Sequence, residues 1–328
     1  MSAEIQSIYC TPVLVVIVNY RVADFVIDCL RSLVHEVQLL PGMKVIIVDN
    51  DSGDSSVEKI THAIETEGWE SWASLIPSKI NGGFAYGNNL GIRPALQTTD
   101  PPPYYLLLNP DTVVRPNAIK ALVDFMENHP DVGITVSGTE DEHGDIWPYA
   151  YRFPSIWSEL DSSLKLGIVS RVLSKYITLQ KISVNKPQSV DWFQGACMMI
   201  RRQVFEEVGL MDEEYFLYYE ETDFFLQAKR AGWSCWYVPG SRIRHFCGQS
   251  TGVTGSGIRK RLPQYWFDSR RRYFIKNHGL LYAALVDAVW IFGFSLWSLR
   301  RIIQRKPYTD HPHLFRDFLK NSVFLRFQ

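Results

Sequence analysis

The sequence predicts an α/β fold in which a mostly parallel central sheet is flanked by helices. Residues 13–18 form an uninterrupted apolar run, which is typical of a strand buried on both faces. Residues 22–37 then place apolar side chains at helical spacing, and a second apolar run follows at 45–48. Strands that alternate with amphipathic helices in this way favour parallel pairing through helical crossovers.

The same alternation continues to about residue 128. Apolar runs predict further strands at 73–76 and 104–108, and helical spacing predicts helices at 84–97 and 116–128. Pro116 suits the first turn of the last helix, because the N–H that proline lacks would have no partner there. The first half of the chain therefore supplies four predicted strands and three predicted helices in an alternating order.

The second half of the chain is less regular. Short runs predict strands at 196–200 and 234–238, and residues 220–231 predict a helix, whereas residues 155–190 show no clear period. Three arginines at 270–272 precede a further helical segment. They are expected either to hold a diphosphate or to form a solvated basic face.

Composition excludes several classes of protein. With 46% hydrophobic and 21% charged residues, the chain is neither disordered, nor collagen, nor a coiled coil. Five cysteines without a CxxC pair argue against a disulfide framework or a structural zinc site, and they favour free thiols in a reducing compartment. The first ten residues carry no basic stretch, so no secretory signal is expected.

Charge is distributed unevenly. From residue 241 onward the chain has 16 Lys and Arg against four Asp, a balance of +12, which leaves 18 basic and 31 acidic residues, or −13, before it. This basic segment contains the 20-residue run 280–299, whose only charge is Asp287. Three interpretations stay open: a core or dimerisation helix, an interfacial helix on an anionic membrane, and a membrane span, which Asp287 disfavours.

Polar residues follow three of the predicted strands. Asn19 and Arg21 follow the first strand, Asp49 ends the second, and Asn109 and Asp111 follow the fourth. Because ligands bind beyond the carboxyl ends of strands in such sheets, these residues predict a site that suits ribose hydroxyls, a base or a divalent cation. As an alternative, the polar residues at any one of these strand ends could simply form a turn, in which Asn and Asp are common.

Absent motifs and a glycine-rich loop refine the site. No GxGxxG, GxxxxGK[ST] or GxSxG occurs, which disfavours a dinucleotide-binding enzyme, a P-loop protein and an α/β-hydrolase. The segment NGGFAYGNN at 81–89 lies between a strand and a helix. Its glycines permit close approach of a ligand, and the helix N-terminus favours phosphate.

The ordered motifs VVIVNYR, VIIVDNDSGD, NGGFAYGNN and LLLNPDT resemble family 2 inverting glycosyltransferases of the GT-A fold. The resemblance is greatest to the rhamnosyltransferase-like branch that builds polysaccharides and cell-wall linkers. Later, DWFQGACMMIRR resembles the acceptor-side strand of that branch, FLYYEETDF its acidic motif, and His245 with Ser250 its H-x4-S element. The resemblance covers about residues 13–278 and implies a GT-A catalytic domain at 10–250, followed by a basic, helical C-terminal segment at 251–328.

The resemblance implies a nucleotide-diphosphate sugar donor, dTDP-rhamnose or a UDP-sugar, and a divalent cation, Mg²⁺ or Mn²⁺. The metal ligands are expected to be Asp111 and His245, although the family's DxD element reads Asn109-Pro110-Asp111 here and keeps one carboxylate. The residues expected to bind the nucleotide sugar are Asn19, Arg21, Asp49, Asn81, Gly83, Phe84, Asn88, Asn109 and Asp111.

The resemblance also assigns the reaction. Glu221 matches the position of the family's catalytic base, with Glu220 and Asp223 beside it in a sequence EETD where the family usually has EDxD. The expected reaction is the inverting transfer of a single sugar, guessed to be rhamnose, to a hydroxyl of a glycan or lipid-linked acceptor. The acceptor-side residues are expected to be Trp192, Gln194 and Gly195.

Two other functions stay open, a sugar-phosphate nucleotidyltransferase and a non-catalytic GT-A-fold binding protein. No nucleic-acid module is recognised, so nucleic acid is not an expected partner. A cytoplasmic location is expected, with peripheral contact at the inner face of the cell membrane through 280–306 or a homodimer as the alternatives for the C-terminal segment.

Overall fold

The computed structural model describes residues 12–141, 143–246 and 259–326. Within them the strands are β1 (Val13–Asn19), β2 (Lys44–Asp49), β3 (Ala73–Pro77), β4 (Tyr104–Leu108), β5 (Thr112–Val114), β6 (Val132–Glu140), β7 (Tyr149–Tyr151), β8 (Leu179–Lys181), β9 (Gln188–Val190), β10 (Cys197–Arg201) and β11 (Ser234–His245). The helices are α1 (Ala23–Leu39), α2 (Ser56–Thr66), α3 (Gly83–Leu96), α4 (Ala118–Asn128), α5 (Ile156–Leu164), α6 (Gly167–Val172), α7 (Arg202–Val208), α8 (Glu220–Arg230), α9 (Gln264–His278), α10 (Leu280–Ile303) and α11 (Leu314–Asn321).

In the described part of the chain, a nine-stranded sheet has the order β3-β2-β1-β4-β10-β6-β11-β5, with β9 also paired to β11. The pairs among β3, β2, β1 and β4 are parallel, as the sequence predicts. β10 enters antiparallel between β4 and β6, and β6 pairs parallel with β11. The mostly parallel sheet is thus confirmed, but its second half joins the first through one reversed strand.

Continuous apolar strands lie in the sheet because both of its faces are covered. All seven residues of β1 are buried. Its odd-numbered side chains pack with α1, α2 and α4, and its even-numbered ones pack with α3. Gly87 and Gly91 of α3 lie against Val18 and Val16, where a Cβ atom would come closer than 3.0 Å. Small residues in α3 therefore bring its N-terminus close to the carboxyl end of β1.

The C-terminal segment packs on the α/β body. Arg270 of α9 is 4% exposed, and its guanidinium donates to Asp287 of α10 and Glu159 of α5, each at 2.6 Å. Asp287 also accepts the Val323 N–H at 2.9 Å. The prediction that Arg270 holds a diphosphate is wrong, because the side chain is buried in this ion-pair network.

One face of α10 is buried and the other is exposed. By length and composition α10 could cross a bilayer, yet its inner face packs on α5, α9 and α11. Leu281, Leu285, Phe292 and Leu299 point outward and are at least half exposed. The single charge in the apolar run therefore serves the protein core, and the outward face stays without a partner in the described residues.

Candidate active site

The carboxyl ends of β1 and β2 form a tight polar cluster. The Asn19 amide donates to Asp49 Oδ1 at 2.6 Å and to Ser52 Oγ at 3.1 Å, and all three side chains are buried. Arg21, in a left-handed conformation, donates from Nε to the Ser52 carbonyl at 2.8 Å and leaves its guanidinium at the surface. The sequence-predicted convergence of these ends is confirmed.

The N-terminus of α3 closes the same edge. The Asn50 amide donates to Asn81 Oδ1 and to the Gly83 carbonyl, each at 3.0 Å. Asn50 Oδ1 is buried and has no hydrogen-bond partner among the described residues. Gly83 has φ +89°, and a Cβ there would collide with the Phe216 carbonyl, which accepts the Phe84 N–H at 3.0 Å. Glycine is therefore required where the 212–219 loop meets this helix.

Asn109 and Asp111 lie in the turn between β4 and β5, opposite the end of β11. His245 Nε2 is 3.1 Å from Asp111 Oδ1 and 3.4 Å from Asn109 Nδ2. Both side chains therefore reach the same imidazole nitrogen from this turn. Ser250, the last residue of the H-x4-S element, lies outside the described residues.

This pair fits a divalent cation. Its 3.1 Å separation is close to the ~3.0 Å between neighbouring ligands of an octahedral ion bound at about 2.1 Å. No group of three or more His, Cys, Asp or Glu side chains that could hold a metal occurs in the described ranges. Asp111 and His245 would thus supply two ligands, and phosphate oxygens and water suit the other positions of Mg²⁺ or Mn²⁺.

Glu221 lies at the start of α8 and is held by a backbone donor. The Gly195 N–H donates to Glu221 Oε2 at 3.0 Å. A Cβ at Gly195 would collide with that carboxylate, so only glycine allows this contact. Burial raises the pKa of Glu221 to about 7, while the Gly195 N–H and the charge of His245 lower it. The carboxylate can therefore exchange a proton near neutral pH.

The two neighbouring acids differ from Glu221. Burial, and then the charge of Glu221, raises the pKa of Glu220 well above its usual range, and Glu220 Oε2 has no hydrogen-bond partner among the described residues. Asp223 points to the C-terminal segment, where it accepts from Lys276 and from Asn277, each at 2.6 Å. Asp223 therefore pairs with the C-terminal segment, unlike Glu220 and Glu221.

Asn88, predicted to bind the nucleotide sugar, and Trp192, predicted on the acceptor side, both contact other residues of the protein. The Asn88 side chain is buried in α3 and donates to the Phe84 carbonyl at 2.9 Å, one turn earlier in the same helix. Trp192 stacks on Tyr151 with 4.5 Å between ring centroids, and its indole donates to the Arg152 carbonyl at 3.1 Å.

A cavity of about 360 Å³ lies beside His245. Its lining includes the predicted acceptor-side residue Gln194, together with Trp147, Tyr151 and Asp145. Trp147 is 40% exposed and packs on Tyr149 at 5.3 Å. Sequence reasoning missed Trp147 and Tyr151, because aromatic residues alone do not distinguish a cavity wall from a core. Their alternation along β7 and the residues before it was the available signal.

The residues just before α8 are strained. Tyr218 and Tyr219 both have left-handed φ, at +69° and +66°. Bulky side chains rarely adopt this conformation, which costs about 1–3 kcal/mol for each residue. Two such residues in succession place Glu220 and Glu221 at the N-terminus of α8, where they also face the helix dipole.

The family model described as Glycosyl transferase family 2 matches residues 14–209, more than half of the chain. The N-acetylglucosaminyl-diphospho-decaprenol L-rhamnosyltransferase of Mycobacterium tuberculosis (strain CDC 1551 / Oshkosh) is 27% identical over 224 residues, which cover 64% of this chain and 68% of the relative. The dTDP-rhamnosyl transferase RfbF of Shigella flexneri is 26% identical over 243 residues, which cover 72% and 70%.

A solved structure of GalNAc-T7 with UDP, GalNAc and Mn²⁺ matches with a TM-score of 0.57 at 16% identity. The match covers 95% of this chain and 54% of that one, so this chain spans about half of its length. This likeness confirms the predicted GT-A fold with its helical C-terminal extension.

Proposed function

The chain belongs to glycosyl transferase family 2 and is a glycosyltransferase, and on that premise we propose that it transfers a single sugar from a nucleotide-diphosphate sugar to an acceptor hydroxyl with inversion. The observation that carries the proposal is Glu221, a carboxyl group whose pKa burial raises to about 7 and the charge of His245, a member of the Asp111–His245 pair, lowers. A proton acceptor and a pair of cation ligands at one edge are what this displacement needs.

The donor is proposed to bind at the ends of β1 and β2. Asp49 and Asn50 offer buried acceptors, and the unpartnered Asn50 Oδ1 suits an N–H of the base. The Arg21 guanidinium and the N-terminus of α3 suit the diphosphate. A divalent cation held by Asp111 and His245 would supply positive charge to the leaving diphosphate. The rhamnosyltransferase relatives support dTDP-rhamnose as the donor.

The acceptor is proposed to enter the cavity beside His245. Trp147 and Tyr151 offer ring faces against which a sugar can pack, Gln194 offers polar groups for its hydroxyls, and Trp192 supports Tyr151 by stacking on it. Glu221 then takes the proton from the attacking hydroxyl while Gly195 keeps the carboxylate oriented. The relative that acts on a decaprenol diphosphate supports a lipid-linked acceptor in polysaccharide or cell-wall synthesis.

The test is transfer with defined substrates. The protein is incubated with Mn²⁺ and dTDP-rhamnose, UDP-GlcNAc or GDP-mannose, with and without a polyprenyl-diphosphate GlcNAc acceptor. Release of the nucleoside diphosphate together with an acceptor that is heavier by one sugar is expected. Synthesis of a sugar nucleotide from a nucleoside triphosphate and a sugar phosphate, without transfer, would instead support the nucleotidyltransferase alternative.

The domain division at about residue 250 and the location at the inner face of the cytoplasmic membrane belong to the same proposal. The exposed face of α10 supports membrane contact, since Leu285, Phe292 and Leu296 point away from the protein and Arg305 and Lys306 follow. Each basic residue near an anionic surface contributes about 1 kcal/mol.

Membrane contact is tested with substitutions rather than truncation, because removing α10 would leave Arg270 without Asp287. The Leu285→Ser/Phe292→Ser/Leu296→Ser variant should no longer sediment with vesicles that contain phosphatidylglycerol. The control is Ile80→Ser, which replaces an exposed apolar residue outside the C-terminal segment and should sediment as wild type does. A wild-type protein that ignores these vesicles and is a dimer that the triple substitution dissociates would establish the homodimer instead.

A further inference from the structure

The C-terminal helix α9 contacts the loop that precedes the candidate base. This loop, residues 212–219, follows the stretch matched by the family model, and α9 lies further along the chain. The Asp212 carboxylate accepts three hydrogen bonds from the Arg272 guanidinium at 2.8–3.0 Å and one from Lys276 at 2.8 Å. The start of the loop is therefore fixed to α9 by charged hydrogen bonds.

The far end of the loop is fixed by packing and by one buried hydroxyl. Ser269 Oγ, which is 2% exposed, donates to the Leu217 carbonyl at 3.0 Å. The Tyr265 ring lies 5.3 Å from Phe216 and 6.0 Å from Tyr218, stacked on the latter at 28°. Tyr219 packs on Tyr273 at 5.4 Å. These contacts surround the two left-handed tyrosines.

Left-handed tyrosines persist only where neighbouring groups hold them. Here α9 supplies ring contacts to both tyrosines and the serine bond to Leu217, and the residues held are followed at once by Glu220 and Glu221. The same loop also touches the donor side, because the Phe216 carbonyl accepts the Phe84 N–H. One loop thus connects α9, the N-terminus of α3 and the candidate base.

We propose that α9 is a clamp that holds Tyr218 and Tyr219 in their left-handed conformation and thereby positions Glu221, with Tyr265 and Ser269 as positioning residues. The effect on catalysis rests on the proposed function. The clamp itself is a statement about the conformation of residues 212–221, and it can be tested without any turnover.

The first experiment compares three α9 variants with a control. Tyr265→Leu removes the ring that stacks on Tyr218, Tyr265→Phe keeps it, and Ser269→Ala removes the donor to Leu217. Ser295→Ala on α10 removes an exposed hydroxyl that bonds only within its own helix, to Ile291. Amide hydrogen exchange in residues 216–221 should become faster, on the order of tenfold, in Tyr265→Leu and Ser269→Ala, and should stay unchanged in Tyr265→Phe and Ser295→Ala.

The second readout is steady-state transfer with whichever of the three sugar nucleotides above is turned over. In Tyr265→Leu, kcat should fall about tenfold while the donor KM stays near wild type, and Tyr265→Phe should restore kcat. A wild type without transfer would overturn the proposed function, and the exchange data would still decide on the clamp. Faster exchange with unchanged kcat would overturn the positioning role.

A double variant separates the clamp from general loss of packing. Asparagine adopts the left-handed conformation more readily than tyrosine, so Tyr218→Asn should make Tyr265→Leu far less harmful to both exchange and kcat. Independent, multiplicative effects of the two substitutions, or unchanged exchange in Tyr265→Leu alone, would overturn the clamp.

Discussion

Replacing Glu221 with glutamine removes the proton acceptor and keeps the size of the side chain and an oxygen for the Gly195 N–H. The turnover number should therefore fall by a factor of about 10²–10⁴. This loss corresponds to about 3–5 kcal/mol of transition-state stabilisation. Donor affinity should stay near wild type, because the hydrogen bond that Glu221 accepts comes from Gly195 of the acceptor side.

The pH dependence follows from the environment of the same carboxyl. Burial raises the pKa of Glu221 to about 7, so the ionised base falls from about nine tenths of the protein at pH 8 to about one tenth at pH 6. Because the base acts only when ionised and this pKa belongs to the protein without substrates, kcat/KM should rise about tenfold with pH across this range. Burial also raises the pKa of Glu220 well above its usual range, so the Glu220→Gln variant is needed to separate its contribution to the profile from that of Glu221.

The assay is release of nucleoside diphosphate at donor and acceptor concentrations below their KM values, measured from about pH 6 to pH 8. The fall in activity from pH 8 to pH 6 should vanish in Glu221→Gln. Glu221→Asp should keep this fall, with a lower activity at every pH. Glu220→Gln is the matched comparison, because it makes the same change in the neighbouring carboxyl. This variant should lose far less activity than Glu221→Gln. Full activity in Glu221→Gln, or a loss confined to Glu220→Gln or Asp223→Asn, would refute the assignment of the base.

Three further substitutions test the cation pair, the C-terminal core and a helix cap. Asp111→Asn should fold normally and lose the Mn²⁺-dependent gain in dTDP or UDP affinity measured by titration calorimetry, whereas Asp141→Asn on the cavity rim should keep it. Asp287→Leu should cost about 3–5 kcal/mol of unfolding free energy in urea, because it leaves Arg270 half-paired, while the exposed Asp24→Leu should cost under about 1 kcal/mol; equal stability of both would show that α10 is not part of the core. Glu36→Gln should cost about 2–4 kcal/mol, because the buried carboxylate accepts three N–H groups at the start of α4; an unchanged urea midpoint would exclude that capping role.

The strands that sequence predicts best are those whose environment is uniform. β1 and β4 are covered on both faces, so every residue except the terminal Asn19 is apolar and the runs are visible in the sequence. β6 is equally buried, yet it carries Thr135 and Ser137 and escaped prediction. Ser137 is tolerated because it bonds to Ser241 at 2.6 Å, a partner from another strand. Such compensation cannot be read from the local sequence.

The site shows the same limit. Asn19, Asp49 and Asp111 were predicted together because the ends of parallel strands share an edge of the sheet. Arg270 looked like an anion ligand because its partners, Asp287 and Glu159, lie on other helices and meet it only after folding. The position of β10 between β4 and β6, which brings Gly195 to Glu221, is likewise a property of tertiary structure.

The reversed strand β10 also affects how the chain is synthesised. Leu108 of β4 pairs with Cys197 of β10, so one edge of the parallel half stays unpaired until about 90 further residues are made, on the order of ten seconds of translation. That edge is a fully apolar strand, which is a template for aggregation. Ribosome-bound chains that end shortly after β6 should therefore recruit chaperones, and chains that expose β10 should release them. Chaperone binding that does not depend on chain length in crosslinking would contradict this order of assembly.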